Sequence, residues 1–397
     1  MKAKYYLAPA AALFIIVTLV ASPGITFEAS ARGLGLWWNI VVPSLLPFFV
    51  AAELLTGLGA VHFFGVLLEP LMRPLFRVPG VGGFILAVGL ASGSPMGAML
   101  TAQYRSKDAL SKEEGERLMS FANTAGPLFM TGAVATGMLG WPAIGMTLVL
   151  VHYLSSITTG LIMRFYKGKA ISKPLPSKGE FILSRAARAL VTARDQDGRH
   201  IGRLLSDAIT KAFNSLLLVG GFIICFSVLF ELLNASGLIP WLASALSIKS
   251  EVLQVLSAGA LELTNGCRQA AQSSLPIAGK FVIISAILAW SGISIQGQAA
   301  SFTRDTDMSM GPYLFARVIQ ACFAALYAAL FLKINWIPPL PAAVIEYVSL
   351  GLGTKYLVSL VYLGAVLLSL AVFATTLGLV TTCFKMKISA FRVNQRS

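Results

Sequence analysis

Glu262 and Arg268 stand six positions apart in a stretch that is otherwise apolar or small, with Thr264, Asn265 and Gly266 between them. An ionisable side chain inside a membrane segment is costly and normally faces a cavity or a partner. A guanidinium is permanently charged and grips a carboxylate through two parallel N–H bonds, so Arg268 suits an anionic substrate. Glu262 has three chemistries open to it: pairing with Arg268, binding a cation, or relaying a proton. A plainer reading stands beside these, in which the two residues form a salt bridge that pins a turn, or Arg268 reaches out to the lipid headgroups.

Short polar side chains cluster at four places in apolar surroundings. They are Ser92, Gly93 and Ser94 in Ser92-Gly-Ser-Pro-Met-Gly97; Asn123 and Thr124 in Asn123-Thr-Ala-Gly-Pro127; Thr264 and Asn265; and Ser291 and Ser294. Unwound backbone finds no water in hydrocarbon, so such breaks persist only where protein or an aqueous cavity surrounds them. Half-helices that meet at a break aim the partial positive charge of their N-termini at the space between, which favours a carboxylate or phosphate. One Ser or Thr alone is explained by a bond to its own helix; four clusters together point to a binding site. The eleven candidate substrate contacts are therefore Ser92, Gly93, Ser94, Asn123, Thr124, Glu262, Thr264, Asn265, Arg268, Ser291 and Ser294.

Signals for catalysis are missing. His62, His152 and His200 are isolated, and the four cysteines (Cys225, Cys267, Cys322, Cys383) have neither metal-ligand spacing nor a disulfide framework. There is no HExxH, GxSxG or Walker A motif and no pair of catalytic carboxylates. The expectation is a protein that is not an enzyme, without catalytic residues, metal site or cofactor, and with its coupling ion unassigned.

The elements that hold these residues must be membrane helices. Of 397 residues 56% are hydrophobic and 12% charged, against roughly 25% charged in soluble domains. Apolar runs of bilayer-crossing length, about 20 residues, fall at 5–22, 37–58, 121–140, 143–165, 209–233, 280–296, 313–332 and 356–384. The net charge of +14 collects in the termini and in 167–203, which carries nine Lys or Arg against Glu180, Asp195 and Asp197. Basic loops are held on the cytoplasmic side and meet anionic lipid headgroups; with few aromatic residues to stack bases, nucleic acid is not the partner. That rule leaves 167–203 inside only if 81–103 dips into the membrane and turns back at Ser92-Gly-Ser-Pro95. The segment 63–77, with Glu69 and Arg73 one turn apart, reads as an amphipathic helix along the membrane surface, and the charged stretch 104–117 as a solvated cytoplasmic helix.

A second half repeats the pattern. Glu53-Leu-Leu matches Glu231-Leu-Leu, Gly93 matches Gly266 and Gly126 matches Gly292, and 252–272 forms the second hairpin. Glu53 and Glu231 then sit in equivalent places, as interface residues rather than coupling carboxylates. The fold expected is an all-α polytopic membrane protein: an inverted-repeat transporter with about eight full spans and two re-entrant hairpins. Its parts are a first span and outer loop at 1–35, a first repeat at 36–166, a basic cytoplasmic loop at 167–206, a second repeat at 207–334, and a last span with a basic tail at 335–397.

In their order and spacing, Pro43-Ser-Leu-Leu-Pro-Phe-Phe49, Ser92-Gly-Ser-Pro-Met-Gly97, Asn123-Thr-Ala-Gly-Pro127 and Glu262-Leu-Thr-Asn-Gly266 resemble the YlbJ-type sporulation integral membrane proteins. These carry the nucleoside-recognition Gate domain twice, and the resemblance runs from about Gly33 onward. It implies a multi-pass protein of the cell membrane, specifically the mother-cell-derived outer forespore membrane, that moves dipicolinic acid during sporulation. The partners implied are a small-molecule anion and membrane lipid, and self-association into a homo-oligomer is compatible with this. The alternatives are a nucleoside or other small-solute transporter read through Asn123, Asn265 and Gln272, or a non-transporting scaffold that recruits spore-assembly proteins through its basic loop.

Overall fold

The computed structural model describes residue 13 and residues 16–167 and 182–337, and every regular element among them is helical. Helix α1 (Pro23–Leu36) runs through a π-helical turn at Trp37–Val41 into α2 (Val42–Gly57). There follow α3 (Ala60–Phe76), α4 (Val81–Ser92), α5 (Met96–Ser106), α6 (Lys112–Ala122) and the π-helical α7 (Phe129–Met138). Then come α8 (Gly145–Met163), α9 (Ile182–Asp197), α10 (Ile201–Ala235), α11 (Leu238–Ala245) and α12 (Ser250–Leu261). The last described are α13 (Leu263–Gln272), α14 (Ile277–Trp290), α15 (Gly292–Thr303) and α16 (Met310–Lys333).

Among the described residues four helical stretches are long and apolar enough to cross a membrane: Pro142–Met163, Ile201–Ala235, Ile277–Thr303 and Met310–Lys333. A fifth is added if the pair around Gly59, bent by 84°, counts as one. The expected spans at 143–165, 209–233, 280–296 and 313–332 fall on these four. That at 356–384 lies outside the described residues, as does most of 5–22. Three expectations are corrected. The run 121–140 is no single helix, because α6 ends at Ala122 and α7 begins only at Phe129. Residues 23–35, expected to form an outer loop, are helical and continue into the next element. Within the expected basic loop, Ile182–Asp197 is an amphipathic helix packed on α3, with Gly59 close against the Leu190 carbonyl.

The charged stretch 104–117 is solvated as expected at 106–109, with Lys107 and Asp108 exposed, and is corrected at its far end. Glu114, Glu116 and Arg117 are fully buried. Ser111 and Glu114 exchange side-chain and backbone bonds in a capping box that starts α6. Arg117 donates to the Arg77 carbonyl at 2.8 Å and to those of Tyr166 and Lys167 at 3.0 and 3.2 Å. Glu116 accepts from the Tyr166 hydroxyl at 2.9 Å and the Ser309 amide at 2.8 Å. Alternating charges that resemble a solvated surface in the sequence are, in the fold, a buried knot joining the ends of α3, α6, α8 and α16. The Glu69–Arg73 pair on α3 does form, and Glu69 also takes the Gly80 amide at 2.9 Å.

Two long helical runs, α1–α2 and α10, pack side by side, and their charges interlock. Arg32 bonds Glu231 at 3.0 Å, and Lys211 bonds Glu53 at 3.0 Å. Both glutamates are thus interface residues. Glu53 is 8% exposed, so Glu53→Lys sets two cations together in a confined place and should cost about 1–3 kcal/mol. Membrane-fraction abundance and the thermal midpoint in detergent should fall in that variant and in Lys211→Glu. Both should recover when the two changes are combined; a double variant as poor as the singles would remove the pair from the interface.

Candidate functional site

Each turn of the two short-helix pairs lies against one of the two breaks. Between α4 and α5, Gly93 has φ +89°, and a Cβ built there would lie 2.6 Å from the Gly126 amide nitrogen. Only glycine allows both that conformation and that approach. Between α14 and α15, Ser291 and Gly292 take φ values of 69° and 75°, and a Cβ on Gly292 would come within 3.0 Å of the Leu263 nitrogen.

Glu262 shapes the second turn. Its backbone is extended between α12 and α13, and its carboxylate caps α13 by accepting from the amides of Thr264 at 2.9 Å and Asn265 at 2.7 Å. A negative side chain at a helix N-terminus satisfies orphan donors and meets the favourable end of the macrodipole. This anion-binding position is therefore occupied by the protein's own carboxylate. Asn265 donates to Ser227 at 2.9 Å and accepts from Arg268 at 3.3 Å. Among the described residues no ion pair joins Glu262 to Arg268, so the pinning salt bridge is not formed; the two meet instead through Asn265.

The first break is held from three sides. Ser94 donates to the Thr124 carbonyl at 3.0 Å, and the Ala98 amide donates to Asn123 Oδ1 at 3.3 Å. Asn123 donates to the Tyr313 hydroxyl at 2.8 Å. From α8, His152 Nε2 contacts the Thr124 hydroxyl and accepts the Ala125 amide at 3.1 Å; from α16, Gln320 donates to Thr124 Oγ1 at 3.3 Å.

Arg317 joins the two breaks. It is fully buried on α16, with its guanidinium over the Tyr313 ring. It donates to Asn123 O at 3.1 Å, to Ala289 O at 3.4 Å and, by a shorter contact, to Ser120 O. These are last-turn carbonyls of α6 and α14, left without intrahelical donors where each helix stops. One cation thus sits at the negative ends of two interrupted helices. Neither Arg317 nor His152 is among the candidates the sequence suggests; for Arg317 the available signal is an arginine inside an apolar span, and for His152, isolated in the sequence, there is none.

The two turns line one small cavity of about 60 Å³. Ser92, Gly93 and Ser94 face Glu262 and Thr264 across it, with Gln298 beside them. A water needs roughly 10–15 Å³ of such space, so the cavity has room for a few waters and for no larger solute. Asn123, Thr124, Asn265, Ser291 and Ser294 are buried behind this lining. Arg268 lies elsewhere: it lines a separate cavity of about 540 Å³ with Asn39 and Gln272. The eleven expected residues are therefore divided between a small inner cavity, the polar framework behind it, and a larger cavity that holds only Arg268 among them.

A family profile described as "Gate: Nucleoside recognition" matches residues 39–142, which carry the first turn and the first break. A relative from Bacillus subtilis (strain 168), described as "Sporulation integral membrane protein YlbJ", is 43% identical over 340 residues, covering 82% of this chain and 81% of the relative. No solved structure matches. With that identity over that length, the chain belongs to the YlbJ-type family of sporulation integral membrane proteins.

Proposed function

We propose that the protein transports a small anionic metabolite across a membrane, that the solute is dipicolinic acid, and that the membrane is the outer forespore membrane. The observation that carries the transport reading is the meeting of two turns and the first helix break on one small cavity inside an apolar helical bundle, with the second break packed against the second turn. A scaffold has no use for interrupted helices in hydrocarbon. The order of elements supports an inverted repeat: a long helix, an amphipathic helix, a pair meeting at a turn, a pair meeting at a break, then a long helix, once from α1 to α8 and again from α10 to α16. The ion pairs Arg32–Glu231 and Lys211–Glu53 relate the two long elements as a two-fold axis would. On this reading the spans number about eight, the α4–α5 and α12–α13 pairs are re-entrant hairpins, and substrate meets Ser92, Gly93, Ser94 and Thr264 when the inner cavity widens. Asn123, Thr124, Glu262, Asn265, Ser291 and Ser294 then hold those contacts in place.

The dicarboxylate is favoured by the relative's sporulation role, as its name gives it, and by the arginine in the larger cavity. The Gate description keeps a nucleoside as the second reading. Purified protein in proteoliposomes, offered labelled dipicolinate or uridine, separates them. The expected result is dipicolinate uptake that excess uridine does not reduce. Uridine uptake without dipicolinate uptake would replace the first reading by the second, and uptake of neither would return the protein to the scaffold class.

A further inference from the structure

The cavity around Arg268 shares two lining residues with the cavity between the turns, Leu128 and Phe129, at the start of α7. The two spaces therefore adjoin at that pair of side chains. The larger one has room for a solute of many atoms and the smaller has not. We infer that the larger cavity is a vestibule that captures a carboxylate-bearing solute on the Arg268 guanidinium, and that Leu128 and Phe129 gate its passage to the space between the two turns. This inference rests on the transport reading and assigns that pathway a second site and a barrier.

Charge places the capture step at Arg268. At the inner turn the N-terminus of α13 is already capped by Glu262, which takes the Thr264 and Asn265 amides, so those donors are not free for a solute carboxylate. No acidic side chain lines the larger cavity. Arg268 has no ion-pair partner among the described residues; its Nη2 reaches only the neutral Asn265 oxygen at 3.3 Å, and its Nε is buried without a hydrogen-bond partner. A solute carboxylate supplies the acceptors that this guanidinium lacks, and does so bidentately. Asn39 and Gln272, on the same wall, offer amide donors for a second carboxylate or a ring substituent.

The gate is placed on an element built to deform. From Phe129 to Met138 the helix is π-helical, a form that is rare, loosely wound and concentrated at functional sites. Gly132 and Gly137 fall within it and line the larger cavity. At its start, Pro127 contributes no backbone N–H. A rotation of this short helix would carry Phe129 and Leu128 together and leave the Arg317-held end of α6 undisturbed.

The test uses the full chain in proteoliposomes, with Cys225, Cys267, Cys322 and Cys383 replaced by alanine. Ser94→Cys reports on the inner cavity and Gln272→Cys on the vestibule, each read by its rate of modification with a negatively charged methanethiosulfonate. Gln272→Cys is expected to react quickly whatever stands at Phe129. Ser94→Cys should react slowly with Phe129 in place, at least roughly tenfold faster with Phe129→Ala, and no faster with Phe129→Trp. Equal rates in all three backgrounds would overturn the gate, and because no solute is involved this readout is independent of the transport reading. The capture site is tested by equilibrium binding of pyridine-2,6-dicarboxylate. Arg268→Gln should weaken binding roughly tenfold or more, whereas Gly221→Ala, on α10 and in the lining of neither cavity, should leave it within about twofold. Unchanged affinity in Arg268→Gln overturns the vestibule as the capture site. If the unsubstituted protein binds no dicarboxylate, the capture site and the anion reading fall together while the gate is still decided by the thiol rates.

Discussion

Arg317→Met is expected to lower the membrane-fraction abundance of the protein severalfold and to cost about 2–5 kcal/mol of stability. Two effects compete. Removing a fully buried guanidinium recovers its desolvation cost, and methionine fills most of the space. Against that, the carbonyls of Ser120, Asn123 and Ala289 lose a donor at the very ends of α6 and α14. A buried acceptor left unsatisfied costs about 1–3 kcal/mol, and here three are left at once with no carboxylate whose charge also disappears. The second effect wins. Arg317→Lys keeps the charge but not the planar fork, so it can serve one helix end and not both; its abundance should fall between the two. The thermal midpoint of detergent-purified protein gives the same ordering independently. A methionine variant as abundant and as heat-stable as the parent would show that the two helix ends find other donors, and that Arg317 does not tie the breaks together.

That residue also marks the limit of what was legible in the sequence. Helical class and membrane character were plain from composition, and the breaks at Asn123 and Ser291 were plain from glycine and short polar residues inside apolar runs. That Glu53 and Glu231 are interface residues was suggested by their equivalent positions, although the opposite half and its cations Lys211 and Arg32 could not be named without the fold. What failed was the assignment of charge to environment. Glu116 and Arg117 look like any solvated helix turn, because the carbonyls and amides that bury them belong to residues about 40 to 190 positions away. Glu262 and Arg268 look like partners because they are near in sequence, yet a glutamate placed just before a helix start reaches its own helix amides first. Six residues on, Arg268 faces another space. Spacing along one chain predicts contacts within a turn of helix; it carries no record of which distant backbone groups are short of a partner.

Gly97→Ala is expected to be far more damaging than one added methyl group ordinarily is, and the opposite of what helix propensity says. Gly97 lies in the first turn of α5, where alanine ordinarily gains about 1 kcal/mol over glycine. A Cβ there would stand 2.2 Å from the Ala122 carbonyl oxygen, 2.5 Å from its carbon and 2.7 Å from the Asn123 Cα, against about 3.3 Å for the closest carbon–oxygen approaches that proteins tolerate. These are backbone atoms at the end of a helix, so no rotamer change relieves the overlap, and α5 must move by about 1 Å as a unit. That shift strains the Ala98–Asn123 bond at 3.3 Å and the Ser94–Thr124 bond at 3.0 Å, which seat the first turn beside the inner cavity. Misplacing binding groups by about 1 Å can cost on the order of 100-fold in rate, so solute uptake in proteoliposomes should fall well beyond any loss in abundance. Gly221→Ala, where nothing lies within 4 Å, isolates the propensity effect on α10 and should leave uptake unchanged with stability equal or slightly higher. If Gly97→Ala instead matches Gly221→Ala in both uptake and thermal midpoint, the first turn is not seated on the break at Ala122 and Asn123, and the convergence of turns and breaks on one cavity loses its first half.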